Sequence, residues 1–409
     1  MYITRAMEKT VLSVHHSFPV LLVTGPRQAG KTTMLKKLSD KKRKYVTLDD
    51  PLLRELAVTD PVLFLQRFEP PVIIDEIQYA PELLPHIKMH VDRNKNNGDY
   101  WLTGSQMFHL MKNVSESLAG RVGILSLLAL SNAEILNRQT DVFSTKSSDL
   151  MMKLKSVKPQ TLNKIFDRIF KGGMPALYAD NLKVDNTAAE IFYSSYIQTY
   201  LQRDVKALSQ VGDELAFFRF ISGIAARTGQ MVNYGDIAKD IGISSPTAKR
   251  WLSILVSSGI VILIEPYFNN ALKRIIKSPK MYFLDTGLCA YLTKWTSPQA
   301  LEAGAMSGAF FETWVVSEIV KSYYNAGKRP PIYYYRDKDN REIDLIILEN
   351  NKLYPVEIKK SSNPGKDAVK HFKVLQNTGL EVGEGSVICL SSDLLPIDKQ
   401  NWYVPAWLI

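Results

Sequence analysis

Cysteine is scarce in this chain. Cys289 and Cys389 are the two cysteines among 409 residues, and neither lies at a spacing that metal ligands use. A disulfide framework and a structural zinc site are therefore not expected, and a reducing compartment suits this composition.

Long apolar runs are also missing. The longest, such as residues 122–130 and 259–264, are much shorter than the roughly 20 residues that a membrane-spanning helix requires. The opening sequence MYITR lacks the apolar core of a signal peptide. We therefore expect a cytoplasmic protein without a membrane partner.

The composition is that of a globular protein with an excess of positive charge. Hydrophobic residues make up 45% and charged residues 22%, which excludes a disordered or fibrous chain. The length of 409 residues suggests two or three domains. The net charge of +10 and the pI of about 9.2 favour polyanionic partners such as DNA, although nucleotide binding or solubility would also explain them.

Secondary-structure signals change several times along the chain. Short β-rich runs alternate with helical stretches between residues 18 and 135, which predicts βαβ units, a parallel sheet and an α/β fold. A polar stretch follows and is typical of a linker or mobile loop. The next part is helical and ends in a strand pair, after which β-rich runs return. These changes divide the chain into the segments 1–136, 137–160, 161–215, 216–268 and 269–409.

A glycine-rich motif follows the first predicted strand, residues 20–24. It matches G-x-x-x-x-G-K-[ST], a spacing that lets backbone N–H groups and the N-terminus of the next helix surround phosphates. Lys31 is predicted to contact the β- and γ-phosphates of ATP, and the Thr32 hydroxyl to ligate Mg²⁺. The predicted nucleotide-binding residues are Gly25, Pro26, Arg27, Gln28, Ala29, Gly30, Lys31, Thr32 and Thr33.

Further candidates for the ATP site follow three later strands or turns. Asp75 and Glu76 close an apolar strand, so Asp75 is expected to hold the hydration shell of Mg²⁺ and Glu76 to polarise the attacking water. Ser105 is our candidate for sensing the γ-phosphate, with an ordinary strand-exit turn as the alternative. Arg121 follows a glycine and is predicted to stabilise phosphoryl-transfer charge in cis or in trans, unless it is a solvated surface residue.

Residues 236–252 have the pattern of two helices joined by a glycine turn. Ser245 is predicted to cap the second helix, with Pro246 at its first position, and residues 260–264 to begin a wing. A recognition helix that enters the major groove of DNA is one interpretation, and a packing module or ATPase lid is the other. The predicted inward positions are Trp251, Leu252 and Leu255, and the predicted outward ones are Thr247, Lys249 and Arg250.

The last group of candidates lies near the C-terminus. Asp344, Glu357 and Lys359 have the spacing D-x(12)-E-x-K, which resembles the PD-(D/E)xK nuclease core. In such a core the carboxylates hold a divalent metal and the lysine positions or activates water. Alternation along a strand places Glu357 and Lys359 on one face. Glu312, on a predicted helix, is an additional candidate ligand beside Asp344 and Glu357, and a charged hairpin is the alternative for the whole set.

Motifs spread over nearly the whole chain resemble one family. They are GPRQAGKTT, IIDEIQ, LTGSQ, SLAGRV, GGMP, YLQRDV, PKMYFLDTGL, REID and VEIK. Together they resemble the archaeal-type AAA-related ATPase family of uncharacterised prokaryotic proteins. The resemblance implies an AAA-like P-loop ATPase core, a winged-helix segment, and a C-terminal domain of unknown function with a nuclease-like fold.

The resemblance leaves two details open. The last motif begins with Glu342-Ile343-Asp344 in place of Pro-Asp, which leaves cleavage activity undecided. Arg203 and Asp204 are implied to face the ATPase or to bridge domains, and an exposed ion pair within one helix is the alternative.

Two functional hypotheses result. In the first, ATP binding and hydrolysis with Mg²⁺ control DNA binding or Mg²⁺-dependent cleavage by the C-terminal half. In the second, the protein is a regulatory or signalling switch whose C-terminal domain is a catalytically inactive module that binds protein or nucleic acid. The predicted partners are ATP and DNA, and the sequence leaves open whether the chain forms a homo-oligomer.

Overall fold

The structure is a computed structural model. It describes residues 2–105, 114, 116–179, 186–200, 214–268 and 278–409. Arg203 and Asp204, which the resemblance implied to face the ATPase or to bridge domains, lie outside the described residues. In the part that is described, no helix combines the length and the apolar character needed to cross a membrane.

The N-terminal part is built on a five-stranded parallel sheet with the strand order β2-β3-β4-β1-β5. Its central strands are continuous apolar runs because helices cover both faces of the sheet. The strands are β1 (Val20–Thr24), β2 (Lys44–Thr47), β3 (Val72–Asp75), β4 (Tyr100–Gly104) and β5 (Val122–Ser126). The helices around it are α1 (Glu8–Ser17), α2 (Lys31–Leu38), α3 (Pro51–Thr59), α4 (Pro61–Arg67) and α5 (Leu83–Asn94).

Alternation along β1 shows how the sheet divides the core. Val20 and Leu22 belong to the apolar cluster on one face, whereas Leu21 and Val23 pack in the cluster that includes Met34 of α2. The sheet confirms the predicted α/β fold of this part. Because all five strands are parallel, the segments that follow β1, β3 and β4 meet at the same end of the sheet, where the strands have their C-termini.

The middle of the chain is mostly helical. Its helices are α6 (Asn132–Ile135), α7 (Ser147–Ser156), α8 (Leu162–Lys171), α9 (Asn186–Tyr200), α10 (Glu214–Ala225), α11 (Tyr234–Ile241) and α12 (Ser245–Ser257). Helix α7 lies in the stretch that the sequence indicated to be a linker or mobile loop. Leu150 of α7 is buried in the large core, and this tertiary contact explains a helix that the polar sequence did not predict.

The glycine turn between α11 and α12 follows the sequence prediction, with three corrections: the cap, the strand pair, and Pro246, which is the second residue of α12 rather than the first. Gly242 has a φ of 78°, and the cap of α12 is Ser244 rather than Ser245, because the Ser244 side chain accepts a hydrogen bond from the Thr247 N–H at 3.3 Å. The strand after α12, β6 (Val261–Ile264), pairs antiparallel with β7 (Lys280–Phe283), so its partner lies beyond the segment 216–268. The three residues predicted to face inward, Trp251, Leu252 and Leu255, are buried.

A mixed sheet forms the C-terminal part. Strands β8, β9 and β10 are antiparallel, whereas β10, β12 and β14 are parallel. The strands are β8 (Ile332–Arg336), β9 (Glu342–Glu349), β10 (Lys352–Ile358), β11 (Glu381–Val382), β12 (Gly385–Cys389), β13 (Leu395–Pro396) and β14 (Asn401–Pro405). The helices before it are α13 (Thr286–Leu292), α14 (Pro298–Ala303) and α15 (Ser307–Asn325).

Helix α15 joins this part to the N-terminal sheet. The Lys321 ammonium donates to the Leu130 carbonyl at 3.1 Å, and the Glu318 carboxylate accepts from the Asn132 N–H at 2.7 Å. At the end of α15 the Thr10 hydroxyl donates to the Asn325 carbonyl at 2.8 Å. Buried polar contacts of this kind fix the position of α15 against the segment that follows β5.

Candidate nucleotide site and carboxylate cluster

The glycine-rich loop connects β1 to α2 and depends on two glycines. Gly25 has a φ of 136° and Gly30 a φ of 91°, a region that side chains with a Cβ rarely adopt. A Cβ on Gly25 would also lie 2.0 Å from the Leu127 carbonyl oxygen. Glycine is therefore required at Gly25 by both backbone angle and space, and the loop is held against the end of β5.

Lys31 begins α2 and folds back over the loop. Its ammonium donates to the carbonyl oxygens of Gly25 and Pro26 at 3.0 and 2.9 Å. The residue is only 6% exposed. The positive charge is thus held at the mouth of the loop, where the N-terminus of α2 also favours an anion.

Thr32 and Asp75, the two residues predicted to lie at the Mg²⁺, contact each other at the C-terminal ends of the strands. The Thr32 hydroxyl donates to Asp75 Oδ1 at 2.7 Å, and the Tyr45 hydroxyl donates to Asp75 Oδ2 at 3.0 Å. Thr103 of β4 donates a further hydrogen bond to Asp75. Burial, followed by the charge of Asp75, raises the pKa of Tyr45 to about 12, so its hydroxyl remains a donor. Sequence reasoning missed Tyr45 and Thr103.

Glu76 has an unusual backbone conformation. Its φ of 58° lies in the left-handed region, which non-glycine residues seldom occupy outside functional or strained sites. The Glu76 N–H donates to Thr103 Oγ1 at 3.1 Å, which ties the residue to the neighbouring strand.

Two side chains contact the Glu76 carboxylate. The Ser105 hydroxyl lies 3.4 Å from Glu76 Oε2, and the Gln78 amide donates to the same oxygen. The Gln78 carbonyl oxygen Oε1 is buried and has no partner among the described residues. Ser105 therefore lies beside Glu76, and Gln78 is a further residue of this site that the motif IIDEIQ contained but the sequence analysis did not single out.

Arg121 lies at the N-terminal end of the parallel strands, opposite the end that carries the glycine-rich loop. It directly precedes β5, whose five residues separate it by about 15 Å from the edge that carries the glycine-rich loop. Its guanidinium is half-exposed and forms an ion pair with Asp92 of α5, with Nη2 3.0 Å from Oδ2. This position does not suit a contact with a nucleotide on the same chain, so the predicted role in trans and the alternative of a solvated surface residue stay compatible with it.

A cavity of about 350 Å³ lies next to the glycine-rich loop. Gly30 and Thr33 form one side of it, and the other side includes Tyr2, Pro175 and Tyr178. Its lining is mainly apolar, which is typical of a small-molecule pocket.

Arg5 braces this cavity and was not predicted. Its guanidinium donates to the Ala29 and Leu128 carbonyls at 2.7 Å each and pairs with Glu134 at 3.0 Å. Because all three contacts are buried, Arg5 fixes the N-terminal segment against the glycine-rich loop.

The wall of the cavity is connected to the C-terminal half through Asp285. The Gly173 N–H donates to Asp285 Oδ2 at 2.8 Å, and the Tyr193 hydroxyl donates to Oδ1 at 2.8 Å. The Leu288 N–H, in the first turn of α13, donates to Oδ1 at 2.9 Å. Gly173 lies two residues before the cavity residue Pro175, so one buried carboxylate joins this wall to α13.

The helix α12 also approaches the glycine-rich loop. A cavity of about 360 Å³ lies between them and is lined by Gly25, Lys249 and Ser253. At the end of α12 a Cβ on Gly259 would come within 3.2 Å of Pro26 Cδ. Lys249 and Arg250 are exposed on α12, as predicted. The helix thus offers a basic surface, and Gly259, two residues beyond its end, lies next to the loop.

The C-terminal candidates lie close together and are bonded to one another. The Lys359 ammonium contacts Glu357 Oε1 at 2.5 Å, and Asp344 Oδ2 accepts from the Ile358 N–H at 2.8 Å. The Tyr282 hydroxyl donates to Glu312 Oε1 at 2.6 Å. Burial, together with the charges of Glu312 and Glu357, raises the pKa of Asp344 well above its usual range.

Lys280 of β7 points into the same cluster and was not predicted. Its ammonium lies 2.5 Å from Glu342 Oε1, 3.4 Å from Glu312 Oε1 and 3.9 Å from Asp344 Oδ1. Lys280 is only 4% exposed. The motif PKMYFLDTGL contained this lysine, but no sequence spacing linked it to Asp344.

The two candidate metal sites, at Asp75 and at Asp344, differ in how well they suit a divalent metal ion. Thr32 and Asp75 supply a hydroxyl and a carboxylate oxygen 2.7 Å apart, which suits Mg²⁺ held mainly by phosphates and water. In the described residues no group of three or more His, Cys, Asp or Glu side chains is placed to hold a metal ion. As arranged, one oxygen of each predicted ligand already has a donor: Glu312 Oε1 accepts from Tyr282, Asp344 Oδ2 from the Ile358 N–H, and Glu357 Oε1 contacts Lys359.

Two solved structures show a partial likeness to the chain. The Walker-type ATPase PABY2304 of Pyrococcus abyssi has a TM-score of 0.43 and 14% identity, over 70% of this chain and 94% of that one. The DNA clamp loader delta protein of Bacillus subtilis has a TM-score of 0.24 and 12% identity, over 61% of this chain and 88% of that one.

Two mycobacterial proteins are similar over most of the chain. They are the uncharacterized proteins Rv2008c of Mycobacterium tuberculosis and Mb2031c of Mycobacterium bovis, each 31% identical over 351 residues. The matched region covers 85% of this chain and 72% of each relative.

Three domain families match successive parts of the chain. An AAA domain matches residues 17–136, a domain of unknown function (DUF8612) matches 162–299, and another (DUF4143) matches 307–409. The first match includes the glycine-rich loop, Asp75 and Glu76, and confirms the predicted P-loop ATPase domain. The chain belongs to the same family as the two mycobacterial proteins, and its N-terminal part is an AAA-type P-loop ATPase domain.

Proposed function

We propose that this protein hydrolyses ATP at the loop between β1 and α2, and that the state of the nucleotide controls its C-terminal half. Lys31 would release the carbonyls of its own loop and contact the β- and γ-phosphates. Thr32 and Asp75 would hold Mg²⁺, which when bound neutralises charge on the phosphate oxygens. The chain itself would contribute the glycine-rich loop, whose backbone N–H groups would surround the phosphates.

The observation that carries this proposal is the arrangement around Glu76. Its left-handed backbone turns the carboxylate out of β3, next to Asp75, and Thr103 holds the backbone in place. Ser105 and Gln78 then orient the carboxylate. A carboxylate fixed in this way can accept a proton from a water that attacks the γ-phosphate.

The cavity beside Gly30 and Thr33 is where the base of the nucleotide would lie. Because the cavity lies at the start of α2, it would adjoin the phosphates, and its apolar lining suits a purine. Arg5 and Pro175 border it from two different segments, so the base would contact both the N-terminal segment and the middle of the chain.

The contacts of Asp285 and α15 support coupling between the nucleotide and the C-terminal half. Asp285 connects the cavity wall to α13, and Lys321 connects α15 to the segment after β5. If nucleotide binding moved the cavity wall, the movement would therefore displace both α13 and α15. Coupling of this kind requires a difference in contacts between the bound and free states.

Duplex DNA is the partner that the charge distribution favours. The net charge is +10, and Lys249 and Arg250 lie exposed near the N-terminus of α12, while Gly259, just beyond its other end, lies next to Pro26. DNA bound by α12 would thus sense the nucleotide state directly. Mg²⁺-dependent cleavage stays a prediction, and the ion-paired carboxylates at the C-terminal sheet favour a domain that binds rather than cleaves.

A homo-oligomer would complete the ATP site. Arg121 lies too far from the loop of its own chain, and from an exposed position it would reach the γ-phosphate of a neighbouring copy. If so, turnover per molecule rises with protein concentration in the wild type and not in Arg121→Ala. A rate per molecule that is constant over the whole concentration range would exclude the role in trans.

The test is the rate of ATP hydrolysis by the purified full chain, measured with and without duplex DNA at low salt. We expect Mg²⁺-dependent hydrolysis that DNA changes at least severalfold. Lys31→Ala serves as the control for contaminating ATPases. Hydrolysis that is absent in the wild type refutes the first part of the proposal, and hydrolysis that is indifferent to DNA refutes the second and favours a protein-binding switch.

A further inference from the structure

The carboxylate cluster between β7, α15 and the C-terminal sheet already contains a cation. Glu312, Glu342 and Asp344 come from two different elements, and the Lys280 ammonium lies within 4 Å of an oxygen of each. An ammonium group carries three donors and one positive charge, so it can bridge several carboxylates at once. A divalent ion would need the same oxygens.

Lys280 is fixed in this position by its backbone and surroundings. It pairs with Ile264 across the β6–β7 ribbon, and its side chain is 5% exposed. The ring of Tyr334 lies 5.7 Å from its ammonium. Moving a buried ammonium out of such a site leaves the carboxylates without a counter-charge, which is costly.

The remaining acid of the cluster has its own lysine. Glu357 contacts the Lys359 ammonium, and Asp344 also accepts a backbone hydrogen bond from Ile358. Glu342 has a second cation in Arg336, whose Nη1 lies 3.6 Å away. The two acids that the D-x(12)-E-x-K spacing assigned to a metal thus each have a donor of the same chain on one oxygen.

We propose that the Lys280 ammonium takes the place of a divalent cation in this cluster and fastens the β6–β7 ribbon to the C-terminal sheet. The C-terminal domain then works without a metal and does not cleave phosphodiesters by metal-assisted attack. Because the β6–β7 ribbon directly follows α12, the cluster transmits the position of α12 to the C-terminal sheet. This proposal is independent of whether the P-loop hydrolyses ATP.

The experiment measures Mn²⁺ binding and thermal unfolding of the full chain without nucleotide. Free Mn²⁺ is followed by electron paramagnetic resonance during titration with MnCl₂. We expect wild type and Asp344→Asn to bind Mn²⁺ equally, and the Tm of wild type to be unchanged by Mn²⁺. A wild-type site that Asp344→Asn removes would overturn the proposal, whatever the other variants do.

Lys280→Met provides the second arm. Without the ammonium we expect a Tm lower by roughly 5 °C or more, because a buried ion pair has lost one partner. Mn²⁺ should bind to Lys280→Met and raise its Tm part of the way back to that of wild type. Adding Asp344→Asn to this variant should abolish the binding. A Tm within 1 °C of wild type, on the order of the smallest resolvable change, would show that Lys280 is not the counter-charge of the cluster.

Lys359→Met is the matched control. Its ammonium contacts Glu357 and its side chain is 44% exposed. We expect a Tm loss smaller than that of Lys280→Met and no gain of Mn²⁺ binding, because the Lys359 ammonium is partly exposed and water can replace it in part beside the buried Glu357. If Lys359→Met lowered the Tm as much as Lys280→Met does, Lys359 would be an equally important counter-charge. That result would contradict the special position of Lys280.

Discussion

The two acidic sites of this chain use the same residue types in opposite ways. Asp75 accepts hydrogen bonds from the hydroxyl groups of Thr32, Thr103 and Tyr45, whereas Asp344 lies beside the ammonium of Lys280. Hydroxyl groups are neutral, and one of them can remain as a ligand when Mg²⁺ arrives. An ammonium would have to leave a buried site first, at a large cost in free energy. The donors around an acid, rather than the acid itself, thus decide whether a metal is accommodated.

The largest effect is expected at Glu76, in the site with neutral donors. Glu76→Gln should lower the rate of ATP hydrolysis by about 10² to 10⁴-fold, because a general base is lost, while ATP binding is retained. Turnover and calorimetric binding measure the two effects separately, with the exposed Glu82→Gln as the control. An unchanged hydrolysis rate would show that another residue positions the water.

A smaller but still large effect is expected at Lys31. Lys31→Ala removes the ammonium that the loop holds and should weaken ATP binding by about 3 kcal/mol, or roughly a hundredfold in Kd. Calorimetric titration with ATP and Mg²⁺ measures it. Lys37→Ala, an exposed lysine of the same helix, should bind like wild type. Equal affinities for all three proteins would contradict the placement of the phosphates in this loop.

Asp285 extends the comparison of Asp75 with Asp344. It is a third buried carboxylate, and like Asp75 it accepts its hydrogen bonds from neutral groups. Asp285→Asn should reduce the free energy of unfolding by about 1–3 kcal/mol, because the amide cannot accept from Gly173, Tyr193 and Leu288 together. Chemical denaturation measures the loss. If stability is unchanged, the connection between the cavity wall and α13 lies elsewhere.

The smallest effect is expected on DNA affinity. Replacing both Lys249 and Arg250 by alanine should weaken duplex binding severalfold and reduce the slope of log K against log salt by about 2. Fluorescence anisotropy at several salt concentrations measures both. The pair Lys41→Ala and Lys42→Ala changes the net charge equally at exposed positions of the N-terminal domain. An equal loss in both double variants would indicate attraction by net charge alone.

The N-terminal site could be predicted from the sequence because local patterns determine it. Strands β1 and β3 are apolar runs that end directly at Gly25 and Glu76, and parallel packing then brings these ends together. The hydroxyl groups of Tyr45 and Thr103 could not be identified, since their role depends on which strands are neighbours. The separation of Arg121 from the loop likewise depends on strand direction.

The C-terminal site was predicted only in part. The spacing of Asp344, Glu357 and Lys359 identified side chains that lie together, and alternation along β10 explains the contact of Glu357 with Lys359. Lys280 belongs to a ribbon that is distant in sequence, so no local pattern could show that it enters the cluster. The helix α7 was missed for a similar reason, because its apolar residues acquire a partner only in the folded core.

Helix α15 has a mechanical consequence. Its last residue, Asn325, is bonded to Thr10 of the ATPase domain, and Glu312 near its start lies in the carboxylate cluster, about 20 Å away along the axis. The helix is therefore a lever between the two ends of the molecule. A tilt of about 5° at the Asn325 end would swing Glu312 by about 2 Å, given the rise of a helix. A swing of this size would change the 3.4 Å distance between Lys280 Nζ and Glu312 Oε1, so a small rotation at one end of α15 would alter an ion pair at the other.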